Sequence, residues 1–329
     1  MVNDLTIIVP TYNVQNFLYK CLKSIQDQEF KSFKCLIIDD GSNDKSISIS
    51  QHFCNNDERF NLIKCKHVSL ANVQNIGIQN AKSKYITFCD GDDFLSKEGY
   101  SYVMKKMLDH NYDMSISDFY KVYKDKSKKS IKFDISQAIN KKQLIKFFPV
   151  LYKKNFMFYD WNKIYKTDIA KKIKFKNLTV GLDTIFNYNF FNECNSILFT
   201  RKCYYFYRQR MGSLVNHYDP NRINIRKIET SELKNLLNNW NVDYYNKIIT
   251  QDWFKTLSLC IKNLYLPDSP LNNSLKKKKI TDLLNICLKN INIKYLNDNE
   301  KHYLKIFKNK KKYNHYFTKL KSNNYRYFK

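Results

Sequence analysis

Four short apolar runs open this chain, and the segments between them repeat at a helical period. LTIIV (Leu5–Val9) is continuous and rich in β-branched residues, the pattern of a strand covered on both faces. After Pro10, residues Val14, Phe17, Leu18, Cys21, Leu22 and Ile25 recur on one helical face. KCLIID (Lys34–Asp39) is a second strand, and Ser42, Asn43 or Asp44 is placed to cap the helix after it. NLIKC (Asn61–Cys65) is a third strand. Val73, Ile76, Gly77 and Ala81 then mark a helix with Asn72 at its start, and KYITFC (Lys84–Cys89) is the fourth strand. This alternation predicts an α/β fold, a mostly parallel sheet with helices on both faces. Such sheets bind ligands at the carboxyl ends of their strands, where Asp39, Asp40, Asp90 and Asp92 fall.

From about Tyr112 the pattern changes. YDMSISDFY reads as a strand, KVYKDKSKKSIKF as a charged hairpin or loop, and Gln137–Leu151 as a helix. WNKIYK (Trp161–Lys166) precedes a helix that begins near Asp183, and ILFTRKCYYFYRQRMGSLVN gives a strand and a loop. Beyond about Val215 the chain is helical, polar and basic. These shifts predict two domains, 1–215 and 216–329. No run of about 18 uncharged apolar residues is present to span a membrane, and the first residues already read as a strand rather than a signal peptide. The expectation is a cytoplasmic protein. The nine cysteines form no CxxC pair and sit in apolar patterns, as free buried thiols do. The six histidines lack metal-ligand spacing.

The net charge of +27 directs the protein toward phosphates, whether in nucleic acid, lipid headgroups or a substrate. The stretch Lys301–Lys329 has no Asp or Glu and carries eight aromatic residues, from Tyr303 to Phe328. One reading docks it peripherally on the anionic inner face of the plasma membrane. The other is a helical bundle with a solvated basic face. Nucleic-acid binding suits the charge as well, but no recognition motif accompanies it, so no specific nucleic acid is expected.

The fourth strand ends in CDGDDFLS. Asp90 and Asp92, at i and i+2 on a turn, can converge on one divalent cation. Mg²⁺ and Mn²⁺ take oxygen ligands and leave positions for substrate phosphates. Gly91 between them lets the backbone turn tightly. The rival reading is an acidic turn in which Asp92 or Asp93 caps the helix after Ser96, but it accounts for one carboxylate, not three.

In order along the chain, IIVPTYN, IIDDGSND, NIGIQNAKSKYITFCDGDD, WNKIYK, GLDTIFNYNFF and YYFYRQRMGSLV resemble the successive motifs of family 2 glycosyltransferases with the GT-A fold. The resemblance spans roughly Leu5–Val215. It implies an inverting, metal-dependent transferase that moves a sugar from a UDP-sugar to a hydroxyl of a glycan or lipid-linked glycan. The product class it suggests is a bacterial surface polysaccharide, such as capsule, lipopolysaccharide or teichoic acid. Pro10, Thr11 and Tyr12 would line the uracil and ribose site, and Asp39 would accept from the uracil N–H. A turn-capping role for Asp39 stays open. Asn75 and Gly77 would lie near the nucleotide. Asp90 would contact ribose or the metal shell, and Asp92 would bind Mn²⁺ or Mg²⁺, with Gly91 between them. Asp183 would be the general base, with Asp160 a rival and helix capping the plain alternative. Arg208 and Ser213 would belong to a loop over the diphosphate. Trp161 reads as a buried anchor in preference to a stacking platform.

Two positions depart from the family pattern. Its ARN reads Val73-Gln74-Asn75, so an Arg is missing, and its GED reads Gly181-Leu182-Asp183, so a Glu is missing. A sugar nucleotidyltransferase is the second enzymatic reading. It would need a Gly-rich basic loop after the first strand, where this chain has PTYNVQNF.

Overall fold

A computed structural model describes residues 3–123, 128–132, 135–209 and 217–308. The chain divides into two compact units, Met1–Met211 and Gly212–Lys329. Unit 1 begins β1 (Leu5–Thr11), α1 (Gln15–Gln26), β2 (Phe33–Asp39), α2 (Ser46–Asn56), β3 (Phe60–Lys64), α3 (Leu70–Asn80), β4 (Tyr85–Phe88). It continues β5 (Phe94–Leu95), α4 (Gly99–His110), β6 (Met114–Val122), β7 (Lys128–Ile131), β8 (Ala138–Asn140), α5 (Lys141–Lys153). It ends β9 (Lys163–Lys166), α6 (Thr167–Ala170), α7 (Leu182–Glu193), β10 (Ser196–Arg208).

Among the described residues these strands form one sheet in the order β3-β2-β1-β4-β9-β6-β10-β5, with β7 on β6 and β8 on β10. The first four strands are parallel, as their unbroken apolar runs require. β1 is buried along its whole length, and each fully covered aliphatic side chain there contributes about 1.5–3 kcal/mol. The rest of the sheet is mixed. β9 runs antiparallel to β4 and β6, and β5 antiparallel to β10, while β10 is parallel to β6. The antiparallel strands are two to four residues long, too short to carry a period of their own.

Two boundaries differ from the sequence expectation. α5 starts at Lys141, not Gln137, because Ala138–Asn140 pairs with β10 first. Asn140 then closes a capping box with Gln143. α3 starts at Leu70, and Asn72 lies inside it, donating to the Val68 carbonyl at 2.8 Å.

Gly77 lets α3 lie against β1. A Cβ there would stand 2.4 Å from Ile8 Cγ2, so either the helix or the buried Ile8 side chain would have to shift.

Unit 2 is helical: α8 (Arg222–Trp240), α9 (Tyr245–Leu264), α10 (Asn273–Leu288) and α11 (Asp298–Lys308). Arg226, buried on α8, donates to Glu229 and, at 2.6 Å, to Asp252 on α9. Thr230 adds a 2.5 Å bond to the same carboxylate. No described helix is long and apolar enough to cross a membrane. Most of the basic tail, 309–329, lies outside the described residues, as does Ser213.

Gly77→Ala should destabilise unit 1 by about 1–3 kcal/mol through overpacking. The measurement is the urea midpoint, and an unchanged midpoint would mean that α3 yields freely.

Candidate active site

At the carboxyl ends of β1 and β2 two loops are laced together. Ser42 Oγ accepts from the Asn13 N–H at 3.0 Å, Asn13 Oδ1 from the Asn43 N–H at 2.9 Å, and Asp44 Oδ2 from the Gln15 N–H at 3.0 Å. Asp39 is fully buried beneath them. Its Oδ2 accepts from the Gly41 and Ser42 N–H groups at 3.1 and 3.0 Å. Gly41 has φ +78°, which the tight turn demands and a Cβ resists. Asp39 Oδ1 is buried with no partner. An unmet buried acceptor costs about 1–3 kcal/mol, so this oxygen suits an incoming ligand N–H. Asp39 thus caps the turn with one oxygen and holds the other in reserve.

Asp40 does different work. It accepts from the Val68 N–H at 2.6 Å and the Ser69 N–H at 3.3 Å, while its carbonyl meets His67 Nδ1 at 3.1 Å. His67 and Ser69 both have positive φ, so Asp40 holds a strained loop. The Tyr12 ring, 46% exposed, leans on His67 with centroids 4.5 Å apart. Pro10 and Thr11 are buried in β1.

At the end of β4, carboxylate oxygens of Asp90, Asp92 and Asp93 lie within 4.8 Å of one another. Asp93 is fully buried, accepting from the Tyr205 hydroxyl at 2.7 Å and the Arg208 N–H at 2.7 Å. Burial, and then the neighbouring charges of Asp92 and Asp90, push its carboxyl well above the usual range. The Tyr205 oxygen also accepts from the Asp90 N–H at 3.1 Å. Arg208 Nε donates to the Asp92 carbonyl at 2.7 Å. β10 therefore grips the acidic turn by side chain and backbone together. Gly91 works by close approach: a Cβ would stand 3.1 Å from Val14 Cγ2 and 3.2 Å from the Pro10 carbonyl oxygen. Its φ is not positive, so tightness of packing, not of the turn, requires glycine.

These residues fit a hard divalent cation. The donors are all carboxylate oxygens, Asp93 is committed to β10, and Asp90 and Asp92 keep partial solvent access.

Asp183 follows Gly181, whose φ of +79° starts α7. No side-chain cap bond forms there, so helix capping does not account for this carboxylate. Protein surrounds its carboxyl closely, although part of the residue reaches solvent. Burial, then the Asp90 charge, raise it to about 7, with Lys163 opposing. Asp160 and Lys163 are buried beside it. Lys163 donates to the Tyr159 carbonyl and, at 2.9 Å, to Asn162 Oδ1. Asn187 donates to the Met157 and Tyr159 carbonyls at 2.8 and 3.1 Å, holding that segment from α7. Trp161 is 3% exposed and stacks on Tyr205 at 4.2 Å, on Tyr159 at 4.6 Å and on Tyr207 at 5.1 Å. It is an anchor. It also links the wall beside Asp183 to the tyrosine that grips the acidic turn.

The fold brings Asp39, Asp90, Asp92, Asp183 and Arg208 to strand or helix ends of unit 1. Asn75 is occupied: its Nδ2 donates to the Phe175 carbonyl at 3.0 Å, and its Oδ1 accepts from the Phe175 N–H at 2.9 Å. Tyr205 and Lys163 were not singled out from sequence, and Gln74 was marked only as the place of a missing Arg. Nothing in their local patterns reveals that Gln74 and Tyr205 have partners 86 to 115 residues away in sequence, or that Lys163 is buried beside the carboxylates.

Comparisons with known proteins bear on the family and the fold. Glycosyltransferase GlyA of Streptococcus pneumoniae is 30% identical over 223 residues, covering 65% of this chain and 32% of that protein. EpsJ of Bacillus subtilis, an uncharacterized glycosyltransferase, is 24% identical over 218 residues, covering 65% and 63%. The chain thus spans between a third and two thirds of the length of these relatives. Among solved structures, S. aureus TarS 1–349 in complex with UDP-GlcNAc superposes with a TM-score of 0.69 at 19% identity, over 89% of this chain and 82% of that one. The mannosyltransferase PcManGT of Pyrobaculum calidifontis, in complex with GDP-Man and Mn²⁺, gives 0.52 at 11% identity, over 93% and 84%. The shared fold is the GT-A sheet that the motifs implied, and the helical C-terminal region expected from the sequence beyond about Val215 is present. The family model "Glycosyl transferase family 2" matches residues 6–174, more than half of the sequence, and the chain therefore belongs to family 2 of the glycosyltransferases.

Proposed function

We propose that this chain transfers a sugar from a UDP-sugar to a hydroxyl of a glycan or lipid-linked glycan, with inversion and with a divalent cation. The carrying observation is the acidic turn gripped by β10, with Asp183 close enough to feel the charge of Asp90. The buried, unmet Asp39 Oδ1 supports a donor base bearing an N–H. The complexes of TarS with UDP-GlcNAc and of PcManGT with GDP-Man and Mn²⁺ support a nucleotide sugar and a metal.

Asp90 and Asp92 would hold Mn²⁺ or Mg²⁺, which when bound supplies positive charge against the departing diphosphate. Tyr205 and Arg208 fix the turn, so the carboxylates need not reorganise as charge develops. Asp183 takes the proton of the acceptor hydroxyl as it attacks the face opposite the diphosphate. Positioned base help of this kind is worth about 10²–10⁴-fold. Tyr12, half-exposed against His67, offers a ring to the base. Pro10 and Thr11 shape that wall from the end of β1. Arg208 would bring positive charge to the diphosphate.

Membrane attachment at the inner face of the plasma membrane is the second part of this reading. It rests on Lys277, Lys278 and Lys279, exposed on α10, and on the basic tail. Each basic residue near an anionic surface adds about 1 kcal/mol. Surface polysaccharide synthesis suits an acceptor carried on lipid.

The direct test is a panel of nucleotide sugars, UDP-GlcNAc among them, incubated with Mn²⁺ or Mg²⁺ and read as release of free nucleotide. No release from any donor, with no nucleotide uptake by calorimetry, would remove the proposal. Asp92→Ala and Asp183→Asn should each lower turnover by about 10²-fold or more with an unchanged melting temperature; turnover near wild type in Asp183→Asn would end its role as base. Tyr205→Phe, which loses both hydroxyl bonds to the turn, should weaken cation binding more than nucleotide binding, seen as a higher Mn²⁺ requirement. The base must be deprotonated, so turnover should fall as pH drops through about 7, and lower when a cation offsets Asp90. A flat profile from pH 5 to 8 would count against Asp183.

A further inference from the structure

Beside Asp183, two buried ionisable groups remain outside this mechanism, Asp160 and Lys163. Asp160 is 2% exposed. Its Oδ2 lies 2.5 Å from Nε2 of Gln74, which is 1% exposed on α3. The other end of that amide, Gln74 Oε1, is buried and has no donor. The groups that face Asp160 are Gln74 from α3, Lys163 and Tyr165 from β9, Asp183 from α7 and the backbone N–H of Trp161. Lys163 makes no ion pair with it, and spends its donors on the Tyr159 carbonyl and Asn162.

A charged carboxylate in this place would be desolvated with no cation bonded to it, a costly arrangement. It would also leave the Gln74 oxygen unsatisfied. One proton cures both faults. A neutral carboxyl group facing a carboxamide accepts from the N–H and donates to the C=O, as in an acid–amide pair.

We infer that Asp160 is held as a neutral carboxylic acid paired with Gln74, and that this pair is a positioning element for the segment Tyr159–Trp161 beside Asp183. Burial, and then the Asp183 charge, push Asp160 well above the usual carboxylate range, in the same direction. The pair accounts for a departure from the family pattern. Gln74 stands where an Arg is usual, and an Arg would make Asp160 an anion. With Gln, the titratable groups left beside the pair are Lys163, which burial draws down to about 7, and Asp183. The two neighbours of the pair extend the same hold: Asn75 clasps Phe175, and the Asp160 carbonyl accepts from the Tyr165 hydroxyl at 3.3 Å. The positioning role rests on the transferase reading above; the neutral state of Asp160 does not.

The test is infrared spectroscopy of the full chain at neutral pH, compared with Asp160→Asn. The wild-type minus Asp160→Asn difference spectrum, in which the Asp93 carboxyl cancels, should contain the carbonyl stretch of a buried, protonated carboxyl that shifts in D₂O, and the same difference should persist in the Asp183→Asn background. Absence of that difference band overturns the pair whatever the enzyme transfers. Nucleotide release with the donor found in the panel then reads the positioning role. Asp160→Leu should lose roughly tenfold to a hundredfold, and Asp160→Asn, which keeps an amide partner for Gln74, should restore most of the loss. If Asp160→Asn is as inactive as Asp183→Asn while equally folded, the positioning role falls and Asp160 is itself reactive. If Asp183→Asn alone is fully active, the base assignment fails while the pair stands.

Discussion

Three carboxylates on four consecutive residues repel one another, and no fold gathers them without a restraint. Here the restraint is β10. The Tyr205 hydroxyl and the Arg208 N–H both donate to Asp93, and Arg208 Nε donates to the carbonyl of Asp92. The same Tyr205 oxygen receives the Asp90 N–H. Asp93, buried and pushed toward protonation, relieves part of the repulsion from inside. A strand more than a hundred residues later thus sets the shape of the turn that ends β4. The stacked rings of Trp161, Tyr159 and Tyr207 carry that support across to the segment beside Asp183. Fix β10, and both halves of the site keep their places.

Much of the fold was legible in the sequence. The buried runs at Leu5–Val9 and Lys34–Asp39 could be nothing but central strands, because no helix period fits them. The half of the sheet after β4 was less so, because β5 and β9 are short and take their direction from their neighbours. Candidate residues were legible where chemistry concentrates in one place, as at Asp90–Asp93. They were not where it depends on distant partners. Tyr205 sits in a run of tyrosines with nothing local to distinguish it from Tyr204, which is buried against Tyr100. Gln74 looked like the loss of an Arg. Its burial against Asp160, 86 residues on, gives it a partner of its own. Gly91 was expected for its backbone freedom and is needed for its missing side chain.

The two departures from the family pattern fall on the same side of the site. Gln74 replaces a cation next to Asp160, and Leu182, buried at the start of α7, replaces an anion next to Asp183. Removing one charge of each sign leaves the balance of that region unchanged. In a buried compartment that balance matters more than the identity of either residue.

Asp93, Asp160 and Asp183 all hold protons more tightly in the folded chain than a free aspartate does. Each therefore contributes stability that is complete below the free-aspartate range and fades as pH rises past its folded value. Paired carboxylates such as Asp57, held low by Arg59, act in the opposite sense only near and below pH 4 or so. Between those limits a mild souring of the medium firms the scaffold while, on the role proposed for Asp183, it disarms it. On that reading the molecule falls dormant before it comes apart, and neutral buffer wakes it.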